Sequence, residues 1–250
     1  MKLRVILLNV WIYALLSLTT VLFAVLFLPI VFFPPAWRYR SRWHQIGASL
    51  VGRIFLWSAR IKFKIDGFEK IAALDGKPAI IVINHQSAFD AAIVEALFWS
   101  QLRISFSNDY PKVPVLGIVL RRMHIVVQRI TARSSHQSLD RAVKIAGTYG
   151  SHIIIFPEGT RHMDGKIHKF YRGFTILAQE LDRPVVPIFL YGMHRVMTKG
   201  SCLLNPSKSP VTVLVGEPFI FQPELETREE FLEKIHNWFT LECSKVNHNQ

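Results

Sequence analysis

Hydrophobic and polar positions follow two different patterns along the chain, and the pattern changes near residue 60. Residues 5–37 form an uncharged, mostly apolar run, which is longer than the about 20 residues that cross a bilayer as a helix. The run is interrupted by Ser17, Thr19 and Thr20 in its middle and by prolines near its end. This pattern predicts either one long tilted helix or two shorter helices that turn near residues 17–20 and return to the same face.

From residue 61 onward, hydrophobic spacings of two alternate with spacings of about 3.6, which is typical of strands and helices in a layered α/β domain. Short apolar stretches predict strands at residues 61–65, 79–83, 104–107, 125–127, 153–156, 185–191 and 211–215. Amphipathic stretches predict helices at residues 91–100, 135–149, 173–181 and from Thr227 onward. Asp90 could cap the first of these helices.

The last predicted helix carries the clearest local signals. Its Thr227-x-x-Glu230 spacing predicts a capping box, and Phe231, Ile235 and Trp238 are expected to share its buried face. Together these elements predict a single layered α/β domain over residues 61–250, with a mostly parallel or mixed sheet flanked by helices. An N-terminal membrane-inserted helical segment, within residues 1–60, precedes it.

The charge is concentrated in the first quarter of the chain. The formal net charge is +12, yet residues 1–65 contain nine Lys and Arg and no acid, whereas the other 185 residues hold 21 bases and 18 acids. Bases flank both ends of the apolar run. Because positive flanks mark the cytoplasmic side of a membrane, the two flanks favour the two-helix form that returns to the same face. We therefore expect a protein bound at the cytoplasmic face of the membrane, with anionic membrane lipids as partners. The near-balance of the remainder argues against nucleic acid.

Two alternatives bear on the N-terminal segment. A cleavable signal peptide does not fit, because the apolar run exceeds the roughly 7–15 residues of a signal core and no small-x-small cleavage site precedes the arginines. The basic stretch 37–64, with Trp43 and Trp57, predicts either a segment lying on anionic headgroups or an ordinary helix that covers the core.

Two polar segments directly follow predicted buried strands, where parallel sheets place their functional loops. In the first, His85 and Asp90 are five residues apart, so the carboxylate could hold one ring nitrogen while the other faces a cleft as a base. No Gly-x-Ser-x-Gly nucleophile accompanies the pair, and such a dyad can instead activate a hydroxyl that the substrate brings. The alternative is a histidine whose hydrogen bonds are satisfied within a turn.

The second segment is the turn Glu158-Gly159-Thr160-Arg161. Gly159 lets backbone amides approach a ligand closely, and the guanidinium of Arg161 suits a phosphate or carboxylate. The alternative is a tight turn closed by a Glu–Arg surface pair, which stabilises little. Two such segments in one sheet favour a site.

Four motifs in order resemble those of the glycerolipid acyltransferases. They are His-x-x-x-x-Asp at His85 and Asp90, Ile-Val-Val-Gln-Arg at 125–129, Phe-Pro-Glu-Gly-Thr-Arg at 156–161, and Phe-Tyr-Arg-Gly at 170–173 followed by Val-Val-Pro-Ile at 185–188. The resemblance covers roughly residues 60–220 and is closest to the bacterial 1-acyl-glycerol-3-phosphate acyltransferases.

The resemblance implies a mechanism and a set of binding residues. His85, held by Asp90, would deprotonate the free hydroxyl of a lysophospholipid, which then attacks the thioester of acyl-CoA or acyl carrier protein without an acyl-enzyme. Glu158, Gly159, Thr160 and Arg161 would bind the glycerol phosphate of the acceptor, and Arg129 would be a second phosphate ligand. No cofactor and no metal ion are implied. The family's usual charged segment is replaced by Ser-Asn-Asp-Tyr at 107–110, which removes an expected cationic contact.

Three other functions compete with acyl transfer to lysophosphatidate. The acceptor could be another lysophospholipid or a lyso-aminolipid, which the altered segment 107–110 would favour. A lipid hydrolase would use water activated by His85. A nucleic-acid-binding protein is suggested only by the net charge.

Overall fold

A computed structural model describes residues 2–72, 77–87, 89–97, 102–107, 116–127, 131–162, 164–197 and 203–248. The helices are α1 Lys2–Phe27, α2 Pro35–Arg40, α3 Trp43–Ser58, α4 Phe68–Ala72, α5 Asp90–Leu97, α6 Leu116–Met123, α7 Ala132–Tyr149, α8 Gly173–Leu181, α9 Met193–Val196 and α10 Arg228–His248. The strands are β1 Phe63–Asp66, β2 Ile80–Ile83, β3 Leu102–Ser107, β4 Ile125–Val127, β5 His152–Ile155, β6 Val185–Tyr191 and β7 Val211–Val215. Short 3₁₀ turns occupy Leu28–Phe32 and Pro206–Lys208.

The seven strands form one sheet in the order β1-β7-β6-β2-β5-β3-β4. All neighbouring pairs are parallel except β6 and β7, which are antiparallel. This confirms the predicted α/β class and the mostly parallel or mixed sheet, and every predicted strand is present with its ends shifted by at most two residues. The clean alternation Ile61-Lys-Phe-Lys-Ile65 predicts a half-buried strand. Edge strand β1 differs from this expectation, because Ile65 is 45% exposed.

Hydrophobic residues cover both faces of the sheet. On one face, Ile81 and Ile83 of β2 share a core with residues of α1, α3 and α5. On the other face, Ile80 and Val82 pack with residues of α7, α8 and α10. Because both faces are covered, β2 has no exposed position, which explains its uninterrupted apolar sequence.

The last helix follows its predicted cap but not all of its predicted face. Thr227 Oγ1 accepts a hydrogen bond from the Glu230 N–H at 3.2 Å, and Glu230 Oε2 accepts one from the Thr227 N–H at 2.7 Å. Phe231 and Ile235 are fully buried as expected. Phe239 is the third fully buried residue of this face, whereas Trp238 is only half-buried.

The N-terminal helix runs without a break through residues 17–20. The alternative of two helices turning at this point is therefore wrong, and the single long helix is the form observed. The hydroxyl of Thr19 donates to the carbonyls of Leu15 and Leu16 at 2.9 and 3.1 Å, so this polar residue is satisfied inside the helix instead of ending it. Within the described residues, α1 is the one helix long and apolar enough, by length and composition, to cross a membrane.

The N-terminal helices pack directly on the α/β domain. Ile12 of α1 and Phe55 of α3 belong to the same core as Ile81. The side chain of Asn9 pairs with the backbone of Leu204, donating to its carbonyl at 2.8 Å and accepting from its N–H at 2.7 Å. For residues 43–58 the structure thus shows a helix that covers the core, one of the two forms predicted.

Helix α3 approaches α5 closely at Gly52. A Cβ atom at this position would lie 2.8 Å from the carbonyl oxygen of Ala92 and 3.1 Å from the nitrogen of Ala96. At Gly147 in α7, by contrast, an added Cβ would meet only Leu181 Cδ2 at 3.5 Å, an ordinary contact.

These two glycines provide a matched test of the packing. We expect Gly52→Ala to lower the free energy of unfolding by about 1–3 kcal/mol, because α3 and α5 must separate. Gly147→Ala should raise it by about 0.5–1 kcal/mol, because alanine favours a helix. Urea-induced unfolding of both variants measures the difference, and equal effects at the two positions would contradict the described contact.

Candidate active site

The two polar segments singled out in the sequence meet at one edge of the sheet. Strands β2 and β5 are parallel neighbours, with Val82 opposite Ile155. Their carboxyl ends therefore deliver His85 and Glu158 to adjacent positions.

The carboxylate of Asp90 organises the first segment. Its Oδ2 accepts hydrogen bonds from the Gln86 and Ser87 N–H groups at 2.7 and 2.8 Å, and it lies 2.8 Å from His85 Nδ1. Asp90 is fully buried, whereas the His85 side chain is 18% exposed. Because a carboxylate can only accept, Nδ1 must carry a proton in this pair, and in the neutral ring Nε2 is then the acceptor.

Asp90 differs from the predicted helix cap. It is the first residue of α5, and its Oδ2 bonds to N–H groups that precede the helix. The expectation that it caps residues 91–100 is therefore wrong, because the carboxylate is used to close the loop around His85.

Backbone contacts join the two segments. The His85 N–H donates to Glu158 Oε1 at 3.1 Å, and the His162 N–H donates to the His85 carbonyl at 2.9 Å. The His85 ring stacks on Phe156, with ring centroids 4.3 Å apart. The position of the imidazole is thus fixed from the side of both loops.

Asn84 holds the start of the first segment on the sheet. Its side chain donates to the Leu190 carbonyl at 2.8 Å and accepts from the Leu190 N–H at 2.7 Å. This fully buried pair extends the pairing of β2 and β6 beyond the end of β2, and His85 therefore leaves the sheet at a defined point.

Glu158 is only 4% exposed. Burial raises its pKa to about 7, with smaller raising contributions from Asp90 and Asp164, while hydrogen bonds from the His85 and His168 backbones lower it. The observed contact of Glu158 is with the His85 backbone. Its direct contact with an acceptor phosphate stays a prediction.

The remaining predicted binding residues fall into two groups. Gly159 has a φ of 73°, a conformation that favours glycine, and Thr160 and Arg161 after it are exposed at the same turn. Arg129 lies outside the described residues, as do positions 108–110 of the altered segment. The predicted roles of all these residues stay predictions.

Three histidines near the site were not predicted to belong to it. His194 of α9 lies with Nδ1 3.2 Å from Gln86 Oε1. His162 stacks on His168 at a centroid distance of 3.6 Å, and His168 Nε2 lies 2.9 Å from Asp164 Oδ2. No group of three or more His, Cys, Asp or Glu side chains in the described ranges could hold a metal ion.

Comparisons with known proteins give a consistent result. Residues 62–191 match the family described as Acyltransferase. The 1-acyl-sn-glycerol-3-phosphate acyltransferase of Limnanthes douglasii is 30% identical over 204 residues, covering 81% of this chain and 68% of that protein. The chloroplastic enzyme of the same name from Brassica napus is 33% identical over 183 residues, covering 72% and 52%. That of Pseudomonas aeruginosa is 28% identical over 162 residues, covering 63% and 61%.

The chain thus spans between about half and two thirds of the length of these relatives. Its fold is similar to the crystal structure of the 1-acyl-sn-glycerophosphate acyltransferase of Thermotoga maritima, with a TM-score of 0.79. That similarity extends over 98% of this chain and 97% of the other at 20% sequence identity.

The raised pKa of Glu158 leads to a pH-dependent stability difference. Glu158→Gln keeps an oxygen acceptor for the His85 N–H but removes the ionising group. A carboxyl whose pKa rises from 4.5 to about 7 on folding contributes stability below pH 4.5 that is lost as the pH rises through 7. The variant should therefore gain on the order of 1–3 kcal/mol over the wild type between about pH 5 and pH 8.

Urea-induced unfolding at both pH values measures this gain. Glu224→Gln, at an exposed glutamate, is the control and should show no comparable pH dependence. A stability difference between Glu158→Gln and the wild type that does not change with pH would contradict a buried Glu158 with a raised pKa.

Proposed function

Because the chain belongs to the acyltransferase family, we propose that it transfers an acyl group to the free hydroxyl of 1-acylglycerol 3-phosphate, giving phosphatidate. The family membership confirms the resemblance carried by the sequence motifs, and the chain is an acyltransferase. The choice of acceptor is supported by the names of its relatives. The observation that carries the proposed mechanism is the 2.8 Å contact between His85 Nδ1 and Asp90 Oδ2 at the carboxyl edge of the sheet.

In this mechanism His85 is the general base. Asp90 holds Nδ1–H and stabilises the positive charge that the ring gains, so Nε2 can remove the proton from the acceptor hydroxyl. The oxygen attacks the thioester carbonyl of acyl-CoA or acyl carrier protein. The C–S bond then breaks, the new ester forms, and the proton on Nε2 passes to the leaving thiolate.

The turn after β5 is the proposed site for the acceptor phosphate. Gly159 permits close approach of backbone amides, and Arg161 supplies an exposed guanidinium that can bind phosphate with two parallel hydrogen bonds. Glu158 acts from behind this turn by fixing the His85 backbone. The phosphate would thus be held on the loop adjacent to the one that carries the base.

Membrane binding is supported by the two faces of α1. One face packs on the domain through Leu8, Asn9, Ile12 and Leu16. The rest of the helix surface exposes large apolar side chains, namely Leu3, Ile6, Leu7, Val10, Trp11, Leu18, Val21, Leu22, Val25 and Leu26. Since lipid does not surround a helix face that the domain covers, this arrangement favours a helix partly embedded in the cytoplasmic leaflet.

The proposed reaction is tested by single substitutions at the dyad. We expect His85→Ala and Asp90→Asn each to lower kcat by about 10²–10⁴-fold, because a positioned general base contributes that much. His136→Ala, at an exposed position of α7, is the control and should retain full activity. The assay follows phosphatidate formed from lysophosphatidate with acyl-CoA and with acyl carrier protein as donors.

Free fatty acid is measured in the same assay. Full turnover by His85→Ala would refute the assignment of the base. Transfer of the acyl group to water in place of the lysophospholipid would refute the proposed reaction.

A further inference from the structure

A cavity separate from the candidate active site lies where three segments meet. The first turns of α1 contribute Arg4, Val5 and Leu8. Arg60, which lies two residues after the end of α3, also lines the cavity, and the turn before β7 contributes residues 205–207. Its volume is about 520 Å³. The paired hydrogen bonds between Asn9 and Leu204 fix α1 against this turn, so the walls of the cavity are held together.

The cavity combines two cations with an apolar wall. Within the described part of the chain, neither Arg4 nor Arg60 has a side-chain hydrogen bond or an ion pair. The first 65 residues contain no acid that could neutralise them from their own segment. Val5 and Leu8 line the same space. Two guanidiniums beside aliphatic side chains suit an amphiphile with an anionic headgroup better than a free anion.

Arg60 occupies a position where its backbone conformation favours glycine. Its φ is 53°, and its N–H donates to the Trp57 carbonyl at 3.1 Å just after the end of α3. Helices commonly place glycine at this left-handed position, because other residues are strained there. An arginine at this point is therefore not favoured by the local backbone.

The sheet topology places this cavity on the same edge as His85. Strand β1 is parallel to β7, β7 is antiparallel to β6, and β6 is parallel to β2. The amino ends of β1 and β7 therefore lie on the edge where β2 ends. Three strand spacings separate β1 from β2, which corresponds to about 14 Å.

From these observations we infer that the cavity binds the headgroup of an anionic membrane phospholipid, with its phosphate between Arg4 and Arg60 and its acyl chains along Val5, Leu8 and the exposed face of α1. A lipid bound there holds the edge that carries His85 against the membrane surface. The bound lipid is a bulk phospholipid and is not the acceptor consumed in the reaction.

Vesicle flotation of the full-length protein tests this site. Wild-type protein should bind vesicles of phosphatidylcholine containing phosphatidylglycerol more tightly than pure phosphatidylcholine vesicles. Arg60→Gly should lower the affinity for the vesicles that contain phosphatidylglycerol about fivefold, as expected for the loss of one cation at an anionic surface. Because glycine suits the backbone at this position, the variant should melt at the same or a higher temperature than the wild type. Arg133→Gln, on the exposed surface of α7, is the charge-matched control.

Two further variants separate a defined site from general attraction. If Arg4 and Arg60 hold one phosphate, the effects of Arg4→Gln and Arg60→Gly should be clearly non-additive in the double variant. Leu22→Glu, on the exposed apolar face of α1, should instead weaken binding to both kinds of vesicle. Additive effects, or an equal loss in Arg133→Gln, would overturn the site.

The same variants keep this inference distinct from the proposed reaction. His85→Ala should retain the preference for phosphatidylglycerol. Arg60→Gly should retain the wild-type kcat on a short-chain, water-soluble lysophosphatidate without vesicles. An Arg60→Gly variant with an unchanged preference for phosphatidylglycerol would contradict the inference. The inference would also be contradicted if this variant bound vesicles like the wild type but lost binding to acidic carrier protein or to inorganic phosphate.

Discussion

The buried carboxylate of Asp90 is the constraint on which the site depends. A carboxylate without exposure to water is stabilised by donors, and three N–H groups converge on its Oδ2: two from the backbone and one from the His85 ring. Its Oδ1 is buried without a hydrogen-bond partner among the described residues. The contacts of Oδ2 define the loop after β2 and the orientation of the imidazole at once. The close contact of α3 and α5 at Gly52 supports them, because α5 begins at Asp90. Packing of α3 on α5 thus helps to determine where the His85 ring lies.

A second carboxyl group supports His85 from the opposite loop. Glu158 accepts the His85 N–H, so Asp90 holds the ring while Glu158 holds the backbone. The two groups lie near each other in a buried region, and burial together with the charge of Asp90 raises the pKa of Glu158. The raised pKa of Glu158 means that this second buried carboxyl group is more readily neutral than an ordinary glutamate. The Arg161 side chain is exposed at the end of the same turn, where we propose that the acceptor phosphate binds.

The sequence predicted the features that depend on local pattern. Strands appear as short apolar runs because both faces of the sheet are covered, and the spacing of His85 and Asp90 already allowed a contact across one turn. It did not predict that Glu158 faces inward, because that depends on the register between β2 and β5. It also did not predict the buried hydrogen bond between α3 and α5, in which Gln45 Nε2 donates to Glu95 Oε2 at 2.6 Å. The spacing of hydrophobic and polar residues does not distinguish a buried polar side chain on a helix from one that faces solvent. Of the two forms predicted for residues 5–37, the turn near residues 17–20 does not occur, because helix carbonyls accept the hydroxyl of Thr19.

The role of His85 as the base can be tested directly through the tautomer of its ring. Nitrogen-15 NMR of the full-length protein, with the His85 signals assigned through a His85→Gln variant, reports which ring nitrogen carries the proton. We expect that, in the neutral ring, Nδ1 is protonated and donates to Asp90 while Nε2 is unprotonated and available as the base. A neutral ring protonated at Nε2, with Nδ1 unprotonated, would contradict this role.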